Sequence, residues 1–100
     1  MFWRKKESKP GFFETVQDRT AAEVAERQKR SIDWWQANKA LIKKGIMEQA
    51  NQGWSEYSHD IDLQEYQKIS MTKVRKLIRS DDDFKKFRLE GSLRLDFKWD

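Results

Sequence analysis

The stretch from Phe12 to Gln52 constrains the fold more than any other part of the chain, because it contains no proline and only one glycine, Gly45. It is rich in Ala, Glu, Gln, Lys and Arg, which are strong helix formers. Apolar residues recur in it at spacings of three and four or their sums, as they do on one face of a helix. These residues are Val24, Ile32, Trp35, Ile42 and Ile46, with Trp34 and Leu41 widening the stripe on one flank. The pattern predicts a long amphipathic helix.

This helix is longer than the rest of the chain can cover. The segment Thr20-Ala-Ala-Glu23 matches a capping box, which favours a fresh helix start at that point. A helix of about 30 residues is about 45 Å long, which exceeds the span of one small sheet. Between residues 19 and 30 the apolar residues are only alanines and Val24. We therefore expect the N-terminal half of the helix to be exposed or to pack on another chain.

Two extended segments follow the helix. Gly53 suits the left-handed residue that ends a helix, and residues 54–63 then alternate in polarity as a strand does. Residues 92–99 alternate more regularly, with Leu93, Leu95, Phe97 and Trp99 on one side and charged residues on the other. We expect the two segments to pair antiparallel, with the last strand at an edge of the sheet. Residues 64–69 fit a third strand, a turn or a helix approach.

A second helical region is predicted between the two strands. It starts near Ser70 or Thr72, and a second capping signature at Ser80-Asp-Asp-Asp83 favours another helical turn that carries Phe84. The predicted fold is thus α+β, with a long N-terminal helix, a shorter helical region and a small antiparallel sheet that includes the C-terminal strand. Residues 12–100 form this single domain, and residues 1–11 form a basic flexible leader that Pro10-Gly11 separates from it.

Composition excludes several kinds of chemistry. The sequence of 100 residues contains no cysteine, so disulfides and cysteine-based zinc sites are impossible. No run of about 18 apolar residues is present, so we predict no membrane-spanning helix. The N-terminus lacks the apolar segment of a secretory signal. Thirteen per cent aromatic residues argue against a disordered chain.

No catalytic or metal-binding pattern stands out. The single histidine, His59, is followed by Asp60, but adjacent strand residues point to opposite faces, so the carboxylate cannot easily orient the ring. The run from Asp81 to Asp83 lacks the spaced ligands and glycine of a calcium loop. We predict no catalytic residue, no metal site and no cofactor.

The net charge of +4 leaves nucleic-acid binding open as an alternative function. The cations that would serve it lie late in the long helix and on the second helix. They are Lys39, Lys43, Lys44, Lys73, Arg75, Lys76 and Arg79.

Three segments carry a resemblance: AAEVAERQKRSI, IMEQANQGW and FKKFRLEGSLRLDFKW. In their order and spacing, residues 20–99 resemble small bacteriophage-encoded accessory or virion-associated proteins of unassigned function. The turn Gly91-Ser92 lacks the aromatic residue that usually follows the glycine in such proteins. The resemblance implies a viral protein located in the host cytoplasm or in the virion.

The function predicted from the sequence is non-enzymatic protein interaction, with a host factor or a virion neighbour as the partner. A homo-oligomer is a further possibility, because a second copy of the chain is the simplest partner to cover an apolar stripe that is exposed on a long helix. No membrane partner is expected. The residues predicted to bind protein are Trp34, Leu41, Arg94, Asp96 and Lys98.

Overall fold

The computed structural model describes residues 11–100, an elongated molecule of 75 × 25 × 20 Å. Its elements are α1 (Phe12–Asn51), β1 (Glu56–Asp60), α2 (Leu63–Lys68), α3 (Met71–Ser80), β2 (Arg88–Glu90) and β3 (Arg94–Lys98). The architecture is α+β, as the sequence predicts. The predicted leader lies outside the described residues except for Gly11, which immediately precedes α1.

The sheet has three antiparallel strands in the order β1-β3-β2. The predicted pairing of the first and last strands is confirmed, with Tyr57 opposite Phe97. The last strand is central rather than at an edge, because residues 88–90 supply the third strand and pair with its other side. The expectation that β3 is an edge was wrong, since a short strand within an otherwise irregular segment has no polarity pattern of its own.

Helix α1 is one continuous helix of 40 residues. The capping box at Thr20 does not start a new helix, because the Thr20 hydroxyl donates to the carbonyl of Val16, 2.8 Å away, as a residue within a helix does. The helix ends where predicted. Gly53 adopts a left-handed φ of 87°, and the Trp54 N–H donates to the carbonyl of Gln49.

The C-terminal half of α1, α3 and the sheet enclose a single core. The ring of Trp35 lies 5.0 Å from that of Phe84, edge to face, and Phe84 lies 5.7 Å from Phe97. Residues 81–87 form a series of turns and not the predicted helical segment. The carbonyl of Asp81 accepts from the N–H groups of Phe84 and Lys85, and in this turn the side chain of Phe84 lies in the core.

Residues 64–69, for which the sequence fits a strand, a turn or a helix approach, belong mostly to the short helix α2. Asp62 caps this helix by accepting from the N–H of Gln64. Ser70 then caps α3 by accepting from the N–H of Lys73. The buried hydroxyl of Ser31 joins this cap to α1, because it accepts from the Ser70 N–H at 2.7 Å. Residues 31–100 therefore form one packed unit, which we call the head.

Gly45 allows a close approach between α1 and the sheet. A methyl group at this position would overlap the Cε1 and Cζ atoms of Tyr57. The Tyr57 ring is not free to move away, because its hydroxyl is hydrogen-bonded to His59 and its ring stacks on Phe97. The only glycine within α1 thus marks the place where β1 lies against the helix.

We predict that Gly45→Ala lowers the free energy of unfolding by about 1–3 kcal/mol, the usual cost of overpacking, although alanine alone would favour the helix by about 0.5–1 kcal/mol. Urea denaturation measures the change. In a Tyr57→Ala background the same substitution should become neutral or stabilising. A stabilising Gly45→Ala in the otherwise unchanged protein would contradict the close approach.

Candidate protein-binding surface

The first part of α1 projects beyond the head. All residues from 12 to 26 are exposed, whereas burial begins at Arg27 and is complete at Ser31. At about 1.5 Å per residue this segment is roughly 22 Å long. The sequence predicts an N-terminal half that is exposed or packs on another chain, and within this chain residues 12–26 are indeed left uncovered. We call residues 12–26 the projecting segment.

The projecting segment carries an apolar line along one side. Phe13, Val16 and Val24 are 66%, 43% and 48% exposed, and Thr20 lies between the two valines. Residues spaced by three and four lie on one side of a helix. We call these four residues the free stripe.

The free stripe continues the buried face of α1. The spacing of three, four and four residues that relates the members of the stripe continues beyond Val24. It leads to Arg27, Ser31 and Trp35, and a further step of three and one of four lead to Ile42, which is fully buried. An 11-residue pattern of this kind stays nearly parallel to the axis of a straight helix. The side of α1 that is covered in the head is thus left uncovered in the projecting segment.

Sequence reasoning missed most of the free stripe. It included Val24 but neither Phe13 nor Val16, because the polar Thr20 interrupts the apolar pattern. The signal that identifies these residues is the regular spacing that they share with Ser31 and Trp35.

Trp34 does not lie on the surface where the sequence reasoning placed it. Its side chain belongs to the core, with the residue only 7% exposed, and its ring meets His59 edge to face at 5.9 Å. Its indole Nε1 is buried without a hydrogen-bond partner. Because so little of this side chain is exposed, we remove Trp34 from the binding surface. Leu41, by contrast, is 55% exposed.

The outer face of the sheet is a network of mutual ion pairs. The carboxylate of Asp96 accepts from the hydroxyl of Ser58 at 2.7 Å and pairs with Arg94 at 3.1 Å. Lys98 lies between Glu90 and Glu56, at 3.1 and 3.8 Å. The hydrogen bond to Glu90 and the charge of that carboxylate raise the pKa of Lys98. Arg94, Asp96 and Lys98 share the predicted face, but Asp96 and Lys98 are engaged with side chains of neighbouring strands, and Arg94 pairs with Asp96 of its own strand.

Two of the candidate nucleic-acid contacts instead join α1 to the turn after α3. Lys39 pairs with Asp81 and Lys43 with Asp83, both at 2.5 Å. The hydrogen bond to Asp81 raises the pKa of Lys39 despite the opposing effect of burial. Burial raises the pKa of Asp81, but the hydrogen bonds from Lys39 and from the backbone of Asp83 outweigh it and lower that pKa.

The other candidate cations divide into two groups. The guanidinium of Arg75 donates to the carbonyls of Gly91 and Ser92, at 2.6 and 3.0 Å, so it holds the turn between β2 and β3. The remaining four candidate cations take part in none of the described ion pairs. They are Lys44, Lys73, Lys76 and Arg79, of which Lys73 is half-buried and the others are exposed.

His59 is held among aromatic side chains. Its Nδ1 lies 3.0 Å from the hydroxyl of Tyr57, and burial lowers the pKa of the imidazole. Burial also raises the pKa of the Tyr57 hydroxyl. The geometry gives His59 a packing role beside Trp34.

Among the described residues, no helix combines the length and the apolar character needed to cross a membrane, and no cluster of acidic and histidine side chains could hold a metal ion. Comparisons with family models, curated proteins and solved structures found no match to this chain.

We predict that lowering the pH from about 7.5 to about 5.5 destabilises the protein through His59. The unfolded imidazole binds a proton near its usual pKa of about 6.5, whereas the folded one resists protonation, so the free energy of unfolding falls as the pH falls. Urea denaturation across this range measures the slope, and His59→Gln should flatten it. The low pKa of Asp81 acts only at more acidic pH. An equal slope in His59→Gln would contradict the assignment.

Proposed function

We propose that this chain is a non-enzymatic protein-interaction module that binds another protein through the free stripe. The observation that carries the proposal is that the covered face of α1 continues, uncovered, along the whole projecting segment. A partner helix or an apolar groove lying along the stripe would bury the residues that the head leaves exposed. This is the helix-in-groove mode of recognition, in which residues at spacings of three and four serve as anchors.

Burial of the free stripe in such a contact contributes favourable free energy to binding. Complete burial of a valine or phenylalanine side chain contributes about 1.5–3 kcal/mol. Phe13, Val16 and Val24 are each more than two-fifths exposed. Phe13 is the largest of the three and therefore the strongest candidate for an anchor residue.

The head holds the projecting segment in a fixed direction. Arg30 donates from Nε to the carbonyl of Lys68 at 2.7 Å, and Ser31 is bonded to the cap of α3. Both contacts lie where α1 leaves the head. Because a helix held at one end loses less conformational entropy on binding than a free peptide, this support favours affinity.

The partner is sought among the proteins that a phage-encoded accessory protein would meet, a host factor or a virion neighbour. This choice follows from the resemblance described above. The exposed Leu41 is a second apolar contact on α1, away from the free stripe.

We predict that Val16→Asp and Val24→Asp each abolish capture of a protein partner from the native lysate while leaving the head folded, because a carboxylate on the free stripe would have to lose its hydration in an apolar contact. Ala22→Asp is the matched control, since it adds the same charge to the opposite side of the projecting segment. Capture is read by mass spectrometry after nuclease treatment, and circular dichroism reports the fold. Equal capture by the Val24→Asp and unchanged chains would contradict the proposal.

A second candidate function, nucleic-acid binding, is favoured by one observation. Lys73, Lys76 and Arg79 lie three residues apart on α3 and form none of the described ion pairs. Phosphate contacts would make the binding constant fall by roughly one log unit per log unit of salt for each contact. Binding through the free stripe should depend far less on salt. Loss of all captured protein on nuclease treatment would favour this alternative.

A further inference from the structure

We infer that the free stripe is covered by a second copy of this chain, with the two projecting segments paired antiparallel about a two-fold axis at Thr20. This inference rests on the proposed function, and it names a second copy, rather than a different protein, as what covers the free stripe. Three observations carry it: the symmetry of the stripe, the length of the segment before the head begins, and the charges on one flank.

The free stripe and Arg27 are spaced symmetrically about Thr20. Steps of four residues lead from Thr20 to Val16 and Val24, and further steps of three lead to Phe13 and Arg27. A two-fold axis at Thr20 therefore places Val16 opposite Val24 of the second copy, twice. It also places Phe13 over Arg27 of the second copy, where the guanidinium and the ring attract one another. Such a self-complementary surface is what a closed dimer requires.

The head sets the register. Burial of α1 begins at Arg27, which also lines a cleft of about 570 Å³ together with Tyr66 and Met71. In the proposed register the helix of the second copy covers the whole free stripe, and the end of that helix that carries Phe13 reaches this cleft. A pairing shifted by one turn towards the head would drive Phe13 against Ser31, which is fully covered by its own chain.

The flanking charges favour the antiparallel arrangement. Arg19 lies one residue before Thr20 and Glu23 three residues after it, on the same flank of the free stripe. The two-fold axis therefore brings Arg19 to within two residues, or about 3 Å along the helix axis, of Glu23 in the second copy. In an antiparallel pair the same flanks meet, so each Arg19 faces Glu23 of the second copy. Glu23 binds Arg27 and Arg30 of its own chain through Oε2, and its Oε1 takes part in none of the hydrogen bonds or ion pairs described for residues 11–100. A parallel pair would set this flank against the opposite one, which has no such pairing.

Disulfide trapping tests the arrangement directly, because the chain has no cysteine of its own. A mixture of Val16→Cys and Val24→Cys chains is oxidised gently at micromolar concentration. The expected product is the mixed disulfide between the two variants, in large excess over either self-linked product. A predominance of self-linked Val16→Cys and Val24→Cys products would indicate a parallel pair and overturn the inference.

Sedimentation equilibrium supplies the second measurement. The unchanged chain should pass from monomer to dimer as its concentration rises, and Val24→Asp should weaken dimerisation by about 100-fold, because the symmetric pair contains the change twice. Ala22→Asp should have little effect. Arg19→Glu should weaken dimerisation, and the exchange Arg19→Glu with Glu23→Arg should restore part of it.

The two proposals fail in different ways. A chain that stays monomeric at all concentrations, while Val24→Asp still abolishes capture of another protein, overturns self-pairing and leaves the proposed function intact. If neither dimerisation nor capture depends on Val24, both proposals fail.

Discussion

The contact of one side of α1 with α3 and the sheet holds the rest of this structure in place. Trp35 and Ile42 lie on the helix side of the core, which they share with Ile78 of α3, Phe84 of the following turn and Phe97 of β3. The sheet has only three short strands, and its buried side chains Leu95 and Phe97 belong to the core that the helix helps to enclose. The helix is about 60 Å long, and the head covers only its second half. The projecting segment is the direct consequence of this mismatch.

Charged residues in the head are used mainly for its own construction. Lys39 and Arg75 fix the turns that follow α3 and β2, and Lys98 joins all three strands through its acidic neighbours. Exposed ion pairs of this kind contribute little free energy each, but they orient the segments that they connect. The outer face of the sheet, where Asp96 and Lys98 are paired with their neighbours, therefore offers few free charges to a partner. The free stripe differs from this charged face, because it presents apolar side chains and one threonine.

The sequence predicted the features that depend on local pattern. The long helix, its end at Gly53 and the pairing of β1 with the last strand all follow from periodicity and turn chemistry, and the structure confirms them. The sheet order could not be predicted, because the three residues of β2 are defined only by their pairing with β3. The burial of Trp34 was missed for a similar reason, since its neighbour His59 comes from a distant strand. Of the free stripe, only Val24 was identified in advance.

The central claim is that its own chain leaves the projecting segment uncovered and that a partner protein or a second copy covers it. Hydrogen–deuterium exchange on the full chain tests this claim most directly. A helix of this length without tertiary contacts is marginal in water. In dilute solution the amides of residues 12–26 should therefore exchange much faster than those of residues 31–45. Their protection should rise when the chain is concentrated or a captured partner is added. Equal and concentration-independent protection along the whole of α1 would contradict the account.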